Sequence, residues 1–394
     1  MVISRTTQVV IVGAGPAGLL LGHLLTQDNI DNIIVERRSR EHVESRVRAG
    51  VIEYGVAQFL RDVGAGERLA REGLVHHGVQ MWFDGRRHRL PLSDLADGKS
   101  IIVYGQQEVV KDLIALRLAS GAPIEFSAEV TELDGLASDT PSVVYESQGD
   151  VVRLEGDYVA GCDGSLGISN RAVDPSALGR MERTYPFAWL GIIAQAPPAI
   201  DELIYARHAR GFALYSMRSH SISRLYLGID AGETLTEWPD SRIWEELHTR
   251  LATEDGSPVQ EGPILERSIA GLRNVVVAPM RVGRLFLAGD AAHIVPPTGA
   301  KGMNAALSDV RDLHRALHAW YRDRDARLLD GYSELALERT WRAEEFSTSM
   351  TQMLHPYSDL PFESEIQLTR LRQVFSNETI ATVLARNYVD LNSL

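Results

Sequence analysis

A chain of 394 residues with 44% hydrophobic side chains can bury a large core, and its length points to two domains or to one large domain carrying an insertion. Its 40 lysines and arginines stand against 53 aspartates and glutamates; the net charge of −13 excludes a generally nucleic-acid-binding or anionic-membrane-binding surface, so an anionic ligand must meet a local basic site. The single cysteine, Cys162, excludes an internal disulfide and fits a reducing cytoplasm, with packing as its role.

Residues 6–27 carry no formally charged side chain, which in length suits a membrane span or a secretory signal. Four glycines, Pro16 and His23 break that pattern. The stretch reads instead as an apolar strand over Gln8–Val12, a glycine turn, and a helix from about Pro16, with a second strand in DNIIVE. Strand, turn, helix, strand is the opening of a parallel, doubly wound sheet. Further helices are predicted over Ala49–Val63 and Gln107–Ser120, while the short segments VVYES and DYVAG read as an antiparallel accessory sheet. From about Tyr185 to Asp230 the segments FAWLGIIAQ, RGFALYSMR and SRLYLGID read as strands between Pro- and Ser-containing turns. Strand and turn return in RLFLAGDAAH, before long helical segments over roughly 303–355. The pattern predicts an α/β domain interrupted by a β-rich one, closely packed, without repeats, linkers or a targeting segment.

The turn Gly13-Ala-Gly15-Pro-Ala-Gly18 follows an apolar strand and precedes a helix, and Glu36 ends the next strand. Gly13 permits the sharp turn, Gly15 lets backbone N–H groups approach a pyrophosphate, and Gly18 lets the helix pack on the sheet. Glu36 is placed to accept hydrogen bonds from ribose hydroxyls. Such a motif alone does not separate NAD from FAD.

Ser216-Met217-Arg218 lies in a predicted strand, where residues two apart share a face. If the hairpin through SHSIS closes about Ser221, Ser216 stands opposite Tyr226 and Arg218 opposite Arg224. Two hydroxyls and a planar guanidinium then converge as a carboxylate site; the same residues also read as an exposed strand pair with a solvated arginine. The paired arginines would repel unless each faces a separate anion.

Two later segments, Asp157-Tyr-Val-Ala-Gly-Cys-Asp163-Gly164 and Arg284-Leu-Phe-Leu-Ala-Gly-Asp290-Ala-Ala-His, join the glycine turn in the same order as the three signatures of the class A flavoprotein monooxygenases. The chain resembles that family from end to end, also in SRVRAGVIEYG, VYGQQE, ELIYARHARGFALYSMRS, AGDAAHIVPPTGAKGMN and ARNYV. The resemblance implies a Rossmann-like FAD-binding domain (1–178), a β-rich substrate domain inserted at 179–272, and completion of the FAD domain with a helical, interface-forming C-terminal region over 273–394. It implies hydroxylation of a small phenolic carboxylic acid, with 4-hydroxybenzoate as the leading substrate, dioxygen as co-substrate, and NADPH, or else NADH, as transient reductant. Ser216, Met217, Arg218 and Tyr226 would bind the carboxylate end. Tyr205 would hydrogen-bond the phenolic oxygen, with Tyr388 behind it and His76 at the far end of a proton relay. Pro297 would meet the ring through its carbonyl. Arg46, Val47, Arg48, Ala49, Gly50, Val51, Gln106, Asp163, Asp290, Met303 and Asn304 would join Gly13, Gly15, Gly18 and Glu36 around FAD. Without the resemblance, Tyr205, Tyr388 and His76 read equally as core or surface residues.

Oxygen transfer to an aromatic ring is electrophilic, so ionising the phenol activates it, and a buried tyrosine chain can carry that proton out while water is excluded. Arg37, Arg38, Arg40 and His42 offer charge for a 2′-phosphate, diluted by Glu41 and Glu44. The resemblance further implies a homodimer in the cytoplasm, without nucleic-acid or membrane partners; no metal site is expected. Competing readings are a hydroxylase of the same scaffold for another phenol or an aminobenzoate, a flavin reductase for lipids, and a non-catalytic flavin-binding sensor. A halogenase is disfavoured because no Trp-x-Trp-x-x-Pro segment occurs.

Overall fold

In the computed structural model the strand Val9–Val12 is buried along its whole length, which requires cover on both faces and hence a central place in a parallel sheet. It pairs in parallel with Asn32–Val35 on one side and Tyr158–Gly161 on the other. The six-stranded sheet runs 281–282, 285–287, 158–161, 9–12, 32–35, 124–125. The structure describes residues 2–46, 50–173, 177–257, 259–356 and 360–391. Val47, Arg48 and Ala49 therefore lie outside the described residues. DYVAG is not part of an antiparallel accessory sheet: all four residues Tyr158–Gly161 are buried, so the strand belongs at the centre rather than on a half-solvated sheet. Ser142–Ser147 does sit in a mainly antiparallel four-stranded sheet, beside Glu129–Asp134 and Asp150–Glu155.

Helix Pro16–Gln27 follows the glycine turn, and Gln106–Ala119 packs against it. The helix expected over Ala49–Val63 begins only at Tyr54 and ends at Asp62. Val51–Ile52 is instead a short strand on Ile101–Val103. A long-range clip overrides local propensity there: the Asn304 amide accepts from the Glu53 N–H at 2.9 Å and donates to the Val51 carbonyl at 2.9 Å, holding 51–53 extended.

The second large sheet has eight strands in the order 293–294, 264–278, 179–194, 223–230, 211–217, 203–208, 79–83, 86–90. It is antiparallel except where Leu203–His208 runs parallel to Val79–Phe83. Its hairpin closes about His220 rather than Ser221: Ser216 opposes Arg224 and Leu214 opposes Tyr226. The reason is local, since both the Arg218 and Ser219 N–H groups donate to the Ile222 carbonyl and tighten the turn. The slip from the expected register is two residues, which keeps every side chain on its face. C-terminal helices Gly302–Asp323, Arg327–Leu354, Pro361–Ser376 and Glu378–Val389 follow. Among the described residues no helix is long and apolar enough to cross a membrane.

Candidate active site

The glycine turn is built by steric exclusion. Gly13 holds φ +104, and a Cβ there would stand 2.5 Å from the Cys162 carbonyl; one on Gly18 would stand 2.0 Å from the Gly13 carbonyl. At Gly15, by contrast, the only neighbour is the Cys162 carbonyl at 4.0 Å, so the first turn of the helix is open to a phosphate. No side chain caps that helix start. Glu36 is buried and braces the turn, accepting from the Ala14 and Arg38 N–H groups at 2.8 Å each. Cys162 is buried beside it, its thiol pushed up by desolvation, in agreement with a packing role. Asp163 accepts from the Ser169 N–H at 2.9 Å, while its Oδ1 is buried without a hydrogen-bond partner among the described residues; burial raises its pKa. An open phosphate turn and an orphaned acceptor fit a bound dinucleotide.

Asp290 is exposed on the 3-10 turn Gly289–Ala291, where Gly289 has φ +63. The turn is fixed from behind: Asp309 accepts from the Gly289 N–H at 2.9 Å and from His293 Nε2 at 2.7 Å, and Arg339 binds its other oxygen at 2.6 Å. Gln106 opens its helix and Arg46 follows the short helix Arg40–Ser45. Met303 is half-buried against the core of the parallel sheet. The Asn304 side chain is consumed by the clip at 51–53, leaving its backbone for any flavin contact. Of the basic stretch, Arg37, Arg38, Arg40 and His42 are exposed, and Arg40 is tied to Glu44 at 2.7 Å.

Between the eight-stranded sheet, the strands Val51–Ile52 and Ile101–Val103, and the turn at 297–300 lies a cavity of about 40 Å³. Gly50, Val51, Tyr205, Ser216, Arg218, Tyr226 and Pro297 line it, together with Arg224, Trp189 and Leu214. Met217 does not, because strand alternation turns it to the opposite face. Arg218 is half-buried; desolvation, then the neighbouring charge of Arg224, lowers its pKa to about 10. Nε and Nη1 of Arg224 are buried without hydrogen-bond partners among the described residues. The guanidinium of Arg224 instead lies 5.0 Å from the Tyr226 ring centroid. Among the described residues Ser216 donates to the carbonyl of Met217, at 3.3 Å. Two neighbouring cations and two hydroxyls on one wall have the chemistry that suits a carboxylate.

Tyr205 and Tyr388 share a hydrogen bond of 2.5 Å between their hydroxyls. Both rings are buried; desolvation pushes Tyr205 up to about 12, and Tyr388 well above the ordinary range. His76 is also buried, held neutral with a pKa near 4. Neither of its ring nitrogens has a hydrogen-bond partner among the described residues, so no direct bond joins it to the tyrosine pair. The Pro297 carbonyl accepts from the Ala300 N–H at 3.0 Å, leaving one lone pair for a ring.

Three supports had no sequence signal of their own. Lys301 is buried, paired with Glu53 at 2.8 Å, and donates to the carbonyls of Asn387 and Tyr388 at 2.6 and 3.1 Å. Trp189 walls the cavity and donates to His355 Nε2 at 2.7 Å, while His355 Nδ1 donates to the Thr351 carbonyl at 3.0 Å. Gly191, opposite Tyr226, leaves room for that ring, which a Cβ would approach to 3.2 Å.

Residues 6–347 match the family described as FAD binding domain. The p-hydroxybenzoate hydroxylase of Acinetobacter baylyi is 43% identical over 386 residues, 98% of this chain and 95% of that protein. Among solved structures, p-nitrophenol 4-monooxygenase from Pseudomonas putida superposes with a TM-score of 0.86 at 18% identity, covering 98% of this chain and 99% of that one. Aklavinone-11 hydroxylase in complex with FAD and aklavinone gives 0.75 at 20% identity, over 89% and 69%. The last two likenesses show the fold; the family match and the first relative show descent, and the chain belongs to the FAD-binding class A flavoprotein aromatic hydroxylases.

Proposed function

We propose that this hydroxylase converts 4-hydroxybenzoate to 3,4-dihydroxybenzoate with dioxygen and NAD(P)H. The observation that carries the reading is the polarity of this cavity: Ser216, Arg218, Arg224 and Tyr226 mark a cationic end, and the Tyr205–Tyr388 pair a hydroxyl end. A ligand with a carboxylate opposite a phenol matches both. The Gly13–Gly18 turn, Glu36, Asp163 and Asp290 would hold FAD, which when bound would supply the activated oxygen at the expense of NAD(P)H.

The protein's own contribution is positional and protonic. The arginine end fixes which ring carbon is presented. Tyr205 accepts the phenolic proton into a short hydrogen bond with Tyr388, so the ring becomes electron-rich without either tyrosine ionising fully. His76, neutral at pH 7, is the next base, reached across a water. The Pro297 carbonyl faces the ring, and Trp189, locked by His355, keeps the wall rigid. We further infer a homodimer in the cytoplasm; the family resemblance supports the first, and a single buried cysteine suits the second.

The test is turnover by purified, yellow holoenzyme. 4-Hydroxybenzoate should accelerate NAD(P)H oxidation and yield 3,4-dihydroxybenzoate, with steady-state rates for NADPH and NADH deciding the reductant and sedimentation the oligomer. Faster product formation from 4-aminobenzoate or from a phenol lacking a carboxylate would overturn the assignment.

A further inference from the structure

The expectation of no metal site meets one cluster that the hydroxylase chemistry does not use. Asp28 follows the C-terminal end of helix Pro16–Gln27, and His314 and His318 stand one turn apart on helix Gly302–Asp323. Residues spaced i and i+4 share a helix face, and this face packs against the first helix. His314 Nε2 lies 2.7 Å and His318 Nδ1 2.6 Å from the same atom, Asp28 Oδ2. All three ligand atoms lie within 4.8 Å of one another.

We propose that Asp28, His314 and His318 bind one divalent first-row transition ion, with Zn²⁺ the ion that this ligand set suits. Read as hydrogen bonds alone, the arrangement needs two N–H groups on one carboxylate oxygen, with His318 in the less abundant Nδ1–H tautomer. A cation uses the same convergence differently: two ring lone pairs and one carboxylate face a common point, leaving a fourth position for water. Side-chain exposures of 24, 19 and 38% for Asp28, His314 and His318 leave an entry path while holding the rings in place.

The ion is not catalytic. None of the three residues lines the cavity, and the first helix, at 12 residues, puts about 18 Å between Asp28 and the glycine turn. Its role is a brace. It joins the helix that opens at the phosphate turn to the helix that opens at Met303 and Asn304, so the two walls of the flavin site are tied at their far ends.

Tag-free holoenzyme, stripped with a chelator and titrated with ZnCl₂ by calorimetry, tests this. One equivalent of Zn²⁺ should bind per chain, and His318→Ala and Asp28→Asn should each weaken it at least tenfold. Excess Zn²⁺ should raise the unfolding midpoint of the unsubstituted protein by about 5 °C and leave the variants unmoved. Co²⁺ added to the unsubstituted protein should give the visible bands of a nitrogen-ligated, low-coordinate ion, a readout independent of whether any variant folds. No Zn²⁺ binding, binding of equal affinity in both variants, or a Co²⁺ spectrum unchanged from the aqueous ion would overturn the site.

Discussion

The two ends of the cavity are polar in opposite ways. At the hairpin end, the like charges of Arg218 and Arg224 lie close together, and burial with the Arg224 charge weakens the hold of Arg218 on its proton. At the other end, Tyr205 and Tyr388 satisfy each other through a short hydrogen bond. The first arrangement sets two like charges side by side, which an anion would relieve, whereas the second pairs its two hydroxyls before any ligand binds. The difference separates affinity from reactivity: the cationic end gains most when a ligand enters, and the tyrosine end gains when a proton must leave.

The sharpest way to break that separation is at the tyrosine end. Tyr205→Phe removes the proton acceptor and leaves the arginines intact, so substrate should still bind and stimulate NAD(P)H oxidation. Positioned proton transfer contributes roughly 10²–10⁴-fold, so hydroxylation should slow by about that factor and product per NAD(P)H consumed should collapse. Normal product yield would remove Tyr205 from the reaction. Next in size is the support of Tyr388. Lys301→Met leaves Glu53 buried without its cation, which costs about 3–5 kcal/mol, and it frees the carbonyls of Asn387 and Tyr388. Both a large loss of thermal stability and partial uncoupling are expected; a stable variant with unchanged coupling would show that Tyr388 is held by packing alone.

At the cationic end the effect is smaller and of another kind. Arg218→Lys keeps a charge but loses the planar fork. A charge-assisted hydrogen bond is worth about 1.5–3 kcal/mol, so the Michaelis constant for the aromatic acid should rise roughly 10- to 150-fold with little change in product yield. If Arg218→Lys instead uncouples and Tyr205→Phe instead weakens binding, the division between the two ends is wrong.

How much of this was legible in the sequence follows from how local the physics is. The glycine turn was readable as a motif, because Gly18 meets the Gly13 carbonyl within six residues and Glu36 closes on Ala14 only 22 residues on; the Cys162 carbonyl that excludes a side chain at Gly13 comes from far along the chain and was not. The cationic end was readable in its composition and face but not its register: parity fixed which side chains point inward, and only the Ile222 carbonyl, bonded by two N–H groups, set where the hairpin turns. The tyrosine end was not readable by spacing at all. Tyr388 lies 183 residues beyond Tyr205, and Lys301 is 248 residues from Glu53. Family resemblance named Tyr388, and nothing named Glu53 or His355. The helix expected across 49–63 failed for the same reason, a contact made by Asn304 from far along the chain.

A buried carboxyl supplies the mirror image of the arginine pair. Glu344, on helix Arg327–Leu354, accepts from Asn274, and burial raises its pKa to about 7 against the opposing pulls of that hydrogen bond and of His293. Its folded pKa therefore exceeds its unfolded value near 4.5. The folded state binds more protons between those values, so this contribution to stability is full below about pH 4.5 and is lost as pH rises to 7. Glu344→Gln keeps the acceptor for Asn274 and cannot ionise. It should match the parent in thermal stability near pH 4 and exceed it at pH 8, by up to about 3 kcal/mol if the whole shift is expressed. Equal stability at both pH values would mean that water reaches Glu344 and that its burial costs the folded state nothing.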